Sequence, residues 1–204
     1  MEQGTPEWYA ARAGKFTSSS AEALMKVGKR DGKPLKGRGD LIDRLVVERI
    51  ADSVRDNFTA QATERGRHME VEAREMYAFE TGHVITEVAI VVHPTMDYVS
   101  CSPDGLIGDD GGVELKCPAN VSKHLEALLD GAHVDEYFWQ VQQQLFVTGR
   151  KWWDVVCYDP RFPDGKKLAI KTVKPDAEAQ AAFAKALPVA EQEVVERVKQ
   201  VMAL

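Results

Sequence analysis

The sequence has few cysteines and no long apolar run. Its three cysteines, Cys101, Cys117 and Cys157, are odd in number, far apart and without the C-x-x-C spacing of a zinc knuckle, and the five histidines form no H-E-x-x-H pair. No apolar run approaches the roughly 20 residues that a spanning helix needs, and the first six residues have neither the basic nor the apolar region of a signal peptide. We therefore expect no disulfide, no structural zinc and a cytoplasmic protein.

The charge is acidic in total but unevenly distributed. A formal net charge of −6 argues against a protein that coats nucleic acid indiscriminately, because such binding depends on many cationic contacts to phosphate. Residues 26–38 are nevertheless strongly basic, and their glycines and proline predict a loop instead of a regular helix. This loop is either an ordinary solvated surface or a rim that follows a DNA backbone. Its cations are Lys26, Lys29, Arg30, Lys33, Lys36 and Arg38.

Helices are predicted at both ends of the chain. Thr5 is placed to cap a short helix that has Pro6 at its first position and ends before Gly14, and Thr17 or Ser18 to cap a second helix. Further helices are predicted over residues 40–54, 63–81, 121–129, 134–147 and about 176–203. We expect the last of these to be peripheral, either exposed or facing another subunit.

The middle of the chain predicts strands. β-rich runs cover residues 83–93, 98–102, 111–117 and 151–159, with turn residues at 109–112 between the second run and the third. No repeat or low-complexity linker interrupts the 204 residues. The sequence therefore predicts one α/β domain over residues 1–204, built around a small sheet.

The residues with the clearest chemistry lie in the segment SPDGLIGDDGGVELK. Glu114 and Lys116 are two residues apart and share one face of a strand. If the preceding strand pairs antiparallel with it, Asp104 comes close to Glu114. Two carboxylates without a nearby histidine or cysteine suit Mg²⁺ or Mn²⁺, and a lysine beside them can orient and help deprotonate an attacking water. The segment thus favours hydrolysis of a phosphodiester.

Each half of that segment also has a simpler interpretation. An isolated E-x-K is common on exposed strands, and S-P-D-G is usually a turn. In this order, and about ten residues apart, the two halves match the P-D…(D/E)-x-K signature of restriction-like nucleases.

Five longer strings extend the match along the chain. They are GRHMEVEAREMYAFETG, CSPDG, ELKCP, QVQQQLFVTG and YDPR. In order and spacing the sequence resembles the phage lambda exonuclease (alkaline exonuclease, YqaJ-type) family over about residues 8–161. The resemblance implies a restriction-endonuclease-like core in which helices flank a central mixed sheet. It also implies a Mg²⁺-dependent exonuclease that digests duplex DNA 5′ to 3′ from 5′-phosphorylated ends and releases mononucleotides.

The resemblance has further implications for assembly and setting. Family members form ring-shaped trimers that enclose DNA, and they act with a single-strand annealing protein in phage-type homologous recombination. We therefore expect a homotrimer of phage or prophage type in the cytoplasm of a bacterial host. An enclosing ring would reconcile the acidic total charge with a DNA substrate, because only the channel needs to be positive.

Individual site residues follow from the same resemblance. The residues that would handle the metal and the attacking water are Asp104, Glu114, Lys116, Glu70 and the backbone carbonyl of Leu115. Glu70 is alternatively an exposed helix residue paired with Arg74 at i+4. The residues that would bind a terminal 5′-phosphate are Arg12, Ser19, Ser102 and Gln140. A guanidinium with hydroxyl and amide donors suits phosphate, although each of these residues also has an ordinary surface or turn role.

Two other functions remain open at this point. A sequence-specific restriction-like endonuclease would use the same cluster of residues. A DNA-binding recombination scaffold with an inactive nuclease core is a different class, and the intact Asp104, Glu114 and Lys116 argue against it.

Overall fold

The computed structural model describes residues 1–28, 32, 35–51 and 60–204, with no description of the side chains of residues 60–67. The helices are α1 (Pro6–Arg12), α2 (Ala21–Met25), α3 (Lys36–Ile50), α4 (Ala60–Thr81), α5 (Val121–Asp130), α6 (Phe138–Thr148) and α7 (Ala177–Met202). The strands are β1 (Phe16–Thr17), β2 (Ile85–Thr86), β3 (Val91–Val92), β4 (Val99–Cys101), β5 (Gly105–Ile107), β6 (Gly111–Lys116), β7 (Trp152–Tyr158) and β8 (Leu168–Val173).

Two sheets form the centre of the molecule. The larger sheet has the order β2-β5-β6-β7-β8, and the smaller has the order β1-β4-β3. In the larger sheet β6 and β7 are parallel, whereas the other neighbours are antiparallel. Helices α5 and α6 form the crossover that a parallel β6–β7 pair requires. The predicted α/β class, with a central mixed sheet flanked by helices, is confirmed.

The ends of several helices follow from local capping. The side chain of Thr5 accepts a hydrogen bond from the Trp8 amide at 3.3 Å, and Pro6 is the first residue of α1, as predicted. Helix α4 ends at Thr81 because Gly82 has φ +71°, a left-handed conformation that glycine adopts readily. The predicted cap of α2 is wrong, because residues 18–20 form a 3₁₀ turn and the helix begins after it.

Part of the predicted basic loop is helical. Helix α3 begins at Lys36, four residues before the predicted start, so residues 36–38 belong to the helix. The prediction of a loop there is wrong because tertiary contacts outweigh the low helix propensity of Gly37 and Gly39, about 1 kcal/mol each. The Arg38 guanidinium pairs with Glu193 of α7 at 2.8 Å, while the apolar side of α3 is buried.

Helix α7 is part of the core. Its residues Phe183, Leu187, Ala190 and Val194 are fully buried, and they pack in one cluster with Leu41, Ile42 and Leu45 of α3. Their spacing of four, three and four residues is that of one apolar helix face. The expectation of a peripheral helix is therefore wrong, since only the opposite side of α7 is exposed.

The two faces of β6 are covered by different helices. Val113 and Leu115 pack against Ala73 and Tyr77 of α4. Glu114, between them, points to the opposite face, where α6 lies. Among the residues described, no helix combines the length and apolar character needed to cross a bilayer.

Candidate active site

Asp104 lies at the open end of the β5–β6 hairpin. After Asp104 the chain forms strand β5, which the sequence did not predict separately. The turn between β5 and β6 therefore covers residues 108–110. The strands pair as far as Gly105 and Val113, and beyond that point the Leu115 amide donates to Asp104 Oδ2 at 2.6 Å. The Asp104 carboxylate thus extends the β5–β6 hydrogen bonding past the last backbone pair. A Cβ at position 105 would come within 2.2 Å of Ile85 Cγ2, so any side chain after Asp104 would require Ile85 to move.

Glu114 is a buried carboxylate, 3% exposed, with donors on both oxygens. Its Oε1 accepts hydrogen bonds from Lys116 Nζ at 2.6 Å and from Gln140 Nε2 at 2.5 Å. Its Oε2 accepts from Gln144 Nε2 at 2.5 Å. Gln140 and Gln144 are one turn apart on α6, so both face the same strand residue. These donors satisfy a charge that would otherwise be costly to bury.

Lys116 lies next to Glu114 on the same face of β6. Its Nζ lies 3.4 Å from Gln140 Oε1 and 4.5 Å from the centre of the Tyr137 ring. Burial by itself lowers the pKa of Lys116, but the nearby charges of Glu114 and Asp104 outweigh burial and raise the pKa above its usual value. Lys116 is therefore a cation here, able to donate hydrogen bonds.

Asp104 and Glu70 line the same cavity. The cavity has a volume of about 240 Å³, and its lining includes both carboxylates and Arg74. Burial raises the pKa of Asp104 well above its usual range, and the negative charges of Glu114 and Glu70 raise it further. The charges of Glu114, Glu70 and Lys116 are therefore close enough to act on Asp104.

The oxygen donors suit a hard divalent cation. Besides the carboxylates, the backbone of Leu115 faces Asp104, because the N–H and C=O groups of one strand residue point to the same edge. Within the described ranges, no three or more histidine, cysteine, aspartate and glutamate side chains are already arranged to hold a metal. Since both oxygens of Glu114 accept bonds from protein donors, a cation there would displace some of them. The donor chemistry fits Mg²⁺ or Mn²⁺.

A second polar group forms around Arg12. Its guanidinium donates to Ser102 Oγ at 2.7 Å and to Ser19 Oγ at 3.3 Å, and it lies 4.3 Å from the centre of the Trp8 ring. Trp8 Nε1 also donates to Ser102 Oγ, at 3.0 Å. Three of the four residues predicted for phosphate binding therefore converge. The fourth, Gln140, instead hydrogen-bonds Glu114.

The predicted basic rim is only partly described. Lys29, Arg30 and Lys33 lie outside the described residues. Lys26 pairs with Glu22 at 2.5 Å on the surface, and Lys36 is exposed at the start of α3. Arg38 is half-buried against α7, so its charge is directed at Glu193 and not at solvent.

Two residues of the site were not assigned from the sequence. Gln144 contacts Glu114 directly, and its signal was its position four residues after Gln140 on a predicted helix. Trp8 supports both Arg12 and Ser102, and its signal was the spacing W-x-x-x-R.

The chain is similar to several known proteins. A family model described as the YqaJ-like viral recombinase domain matches residues 7–151. An alkaline exonuclease (LHK-Exo) from Laribacter hongkongensis is 35% identical, with 98% of each chain covered and a TM-score of 0.81, and its complex with dAMP gives the same values. A phage-related exonuclease from Haemophilus somnus 129PT, 11% identical, covers 92% of this chain and 96% of its own with a TM-score of 0.73, a likeness in fold. No match is found among curated proteins.

Proposed function

This chain belongs to the YqaJ-like viral recombinase domain family, and from that membership we propose that it is a metal-dependent deoxyribonuclease. In detail, we propose that it digests duplex DNA 5′ to 3′ from 5′-phosphorylated ends and releases mononucleotides. The observation that carries the proposal is the group of Asp104, the buried Glu114 and Lys116 at the end of the β5–β6 hairpin. The 35% identity to an alkaline exonuclease over nearly the whole chain supports the same activity.

The carboxylates of Asp104, Glu114 and Glu70, with the Leu115 carbonyl, are the groups that would hold Mg²⁺ or Mn²⁺. A bound cation of this kind neutralises charge that develops on the phosphate and the leaving oxygen and makes a bound water more acidic. Lys116, held as a cation next to Glu114, orients the attacking water by donating a hydrogen bond to its oxygen.

The chemistry of the cut is a hydrolysis. Water adds to the phosphorus, the bond from phosphorus to the 3′-oxygen breaks, and the 3′-oxygen leaves with a proton. The released product is a nucleoside 5′-monophosphate, and the shortened strand again carries a 5′-phosphate. Binding of dAMP by the similar LHK-Exo agrees with a product of this kind.

The Arg12 group is the proposed site for the terminal phosphate. Arg12 supplies a charged donor in a fixed fork, and Ser19 and Ser102 supply hydroxyl groups beside it. Each cut creates a new 5′-phosphate, so the same pocket can accept the shortened strand and position the next bond. Gln140 belongs with the hydrolytic residues in this proposal because it contacts Glu114.

We also propose the assembly and partner that the family resemblance implies. The chain would form a ring-shaped homotrimer around DNA, with residues 26–38 near the channel, and would act with a single-strand annealing protein in recombination in a bacterial host. A trimer predicts a mass in solution of three times 22.7 kDa by light scattering. A monomer at micromolar concentration would contradict the ring.

Digestion of DNA with defined ends tests the function. Linear duplexes with 5′-phosphate or 5′-hydroxyl ends, and a covalently closed plasmid, are incubated with and without Mg²⁺. We expect Mg²⁺-dependent release of mononucleotides, faster from phosphorylated ends, and an intact plasmid. Cutting of the plasmid would favour a restriction-like endonuclease, and binding without hydrolysis would favour an inactive scaffold.

A further inference from the structure

We infer that Gln3 and Arg74 are positioning residues that fix the turn carrying Asp104 and thereby set the affinity of the site for its metal. The inference rests on the proposed function and extends it to two side chains outside the carboxylate and lysine cluster. Neither residue is placed to contact the scissile phosphate in this inference. Both act on Asp104 through its main chain.

Gln3 ties the segment before α1 to this turn. Its Nε2 donates to the Pro103 carbonyl at 2.9 Å and to the Val88 carbonyl at 3.0 Å. One amide group thus joins the residue immediately before Asp104 to the segment between β2 and β3. Gln3 is half-buried and lines the cavity that contains Asp104 and Glu70.

Arg74 holds the other side of the same turn. Its Nε donates to the Asp104 carbonyl at 3.2 Å, and its Nη1 pairs with Glu87 at 3.0 Å. The side chain of Arg74 is 18% exposed and that of Glu87 is 69% exposed, so Arg74 reaches from a largely buried position to a partner at the surface. Arg74 therefore bonds the main chain of Asp104 while its charge has a partner in Glu87.

The turn needs support because of where it lies. Strand β5 begins only at Gly105, so the carbonyls of Pro103 and Asp104 precede the β5–β6 ladder. Two side-chain donors on consecutive carbonyls, with the Leu115 amide on the carboxylate, fix both the backbone and the side chain of Asp104.

Small displacements of a ligand matter at such a site. Outer groups that orient metal ligands typically change metal affinity or activity by about 10–100-fold when they are removed. We therefore expect Gln3→Met and Arg74→Met, which keep an unbranched side chain but remove the donors, to weaken the metal response without preventing folding.

The test measures binding of Mg²⁺ alone and then activity. The melting temperature of each protein is followed during a Mg²⁺ titration without DNA, since a ligand of the folded state raises it. In Gln3→Met and in Arg74→Met, the Mg²⁺ concentration that gives half of this rise should increase about tenfold. The kcat for nucleotide release should fall, with the KM for DNA unchanged.

Two matched variants control for a merely structural effect. Arg150 donates to the carbonyls of Ile107, Gly108 and Gly111 at the opposite end of the same hairpin, and Gln180 donates to Gln142 on α6. Arg150→Met and Gln180→Met should lower the melting temperature yet keep the wild-type Mg²⁺ midpoint. The inference is overturned if either site variant keeps that midpoint, or if a control shifts it equally. A wild-type protein without any Mg²⁺ response would overturn the proposed function as well.

Discussion

The side-chain amide of Gln144 donates to Glu114 Oε2 at 2.5 Å, across 30 residues of sequence, and both side chains are buried. An uncharged donor from α6 therefore satisfies a carboxylate oxygen without cancelling its charge. The contact couples the position of the crossover helix to the position of the central strand. The charged partner of Glu114 is Lys116, which binds the other oxygen, Oε1, at 2.6 Å.

Replacing Gln144 by methionine should destabilise the protein. Glu114 Oε2 would lose a buried donor, which costs about 1–3 kcal/mol of the free energy of unfolding. Urea denaturation at neutral pH measures the change, and nucleotide release should fall in parallel. Gln192→Met removes an exposed amide that contacts Glu196, and it should change stability by less than about 0.5 kcal/mol. Equal stability of the two variants would contradict the role given to Gln144.

Lys116→Ala should abolish hydrolysis and preserve DNA binding. The ammonium group that we propose to orient water is lost, so the rate should fall by several orders of magnitude, as for other catalytic groups. Nucleotide release measures the rate, and fluorescence anisotropy measures binding. Lys123→Ala is the control, because Lys123 is an exposed lysine that pairs with Glu136 at the surface. Near-wild-type activity of Lys116→Ala would refute the assignment.

Arg12→Ala should remove the preference for phosphorylated ends. The guanidinium that bonds Ser19 and Ser102 is the charged donor of the proposed phosphate pocket. The ratio of initial rates on 5′-phosphate and 5′-hydroxyl duplexes should approach one. Arg44→Ala, at an exposed arginine of α3, should keep the wild-type ratio. An unchanged ratio in Arg12→Ala would count against the pocket.

The ion pair of Asp159 and Arg161 should make stability depend on pH in the acid range. Arg161 Nε and Nη2 donate to the buried Asp159 carboxylate at 2.7 and 2.6 Å, and these bonds lower the pKa of Asp159. A lowered pKa stabilises the fold above the unfolded value of about 3.9, and the effect disappears as pH falls through the lower folded value. Arg161→Met should therefore melt about 2–4 °C lower at pH 7.

The difference between wild type and Arg161→Met should be constant down to about pH 5 and should narrow below about pH 4. Thermal melts across this range measure it. Lys167→Met breaks a pair with the exposed Asp164 and should leave the melting temperature almost unchanged. A difference that persists undiminished at pH 3 would contradict this explanation.

Short-range patterns predicted much of the site. Alternation along a strand placed Glu114 and Lys116 on one face, and the helical spacing of Gln140 and Gln144 is a signal of the same short-range kind. Both periods are properties of the backbone, so they hold wherever the element packs. The caps of α1 and the end of α4 were predictable for the same reason.

Long-range packing decided what the sequence did not predict. Strand β8 has exposed residues along much of its length and forms an edge, so its apolar signal is weak. Helix α3 extends back to Lys36 because Arg38 meets Glu193, 155 residues away. Gln140 was expected near Arg12, but the side chain turns to Glu114. The position of each of these residues depends on a partner far away in the sequence, which a local pattern cannot indicate.

The burial of α7 against α3 has a consequence for synthesis of the protein. A nascent chain that has left the ribosome up to residue 176 already carries the hairpin, the lysine and both glutamines. It still lacks the four side chains of α7 that cover Leu41, Ile42 and Leu45, so the apolar side of α3 is exposed to solvent. The core between α3 and α7 therefore forms only after α7 has been synthesised.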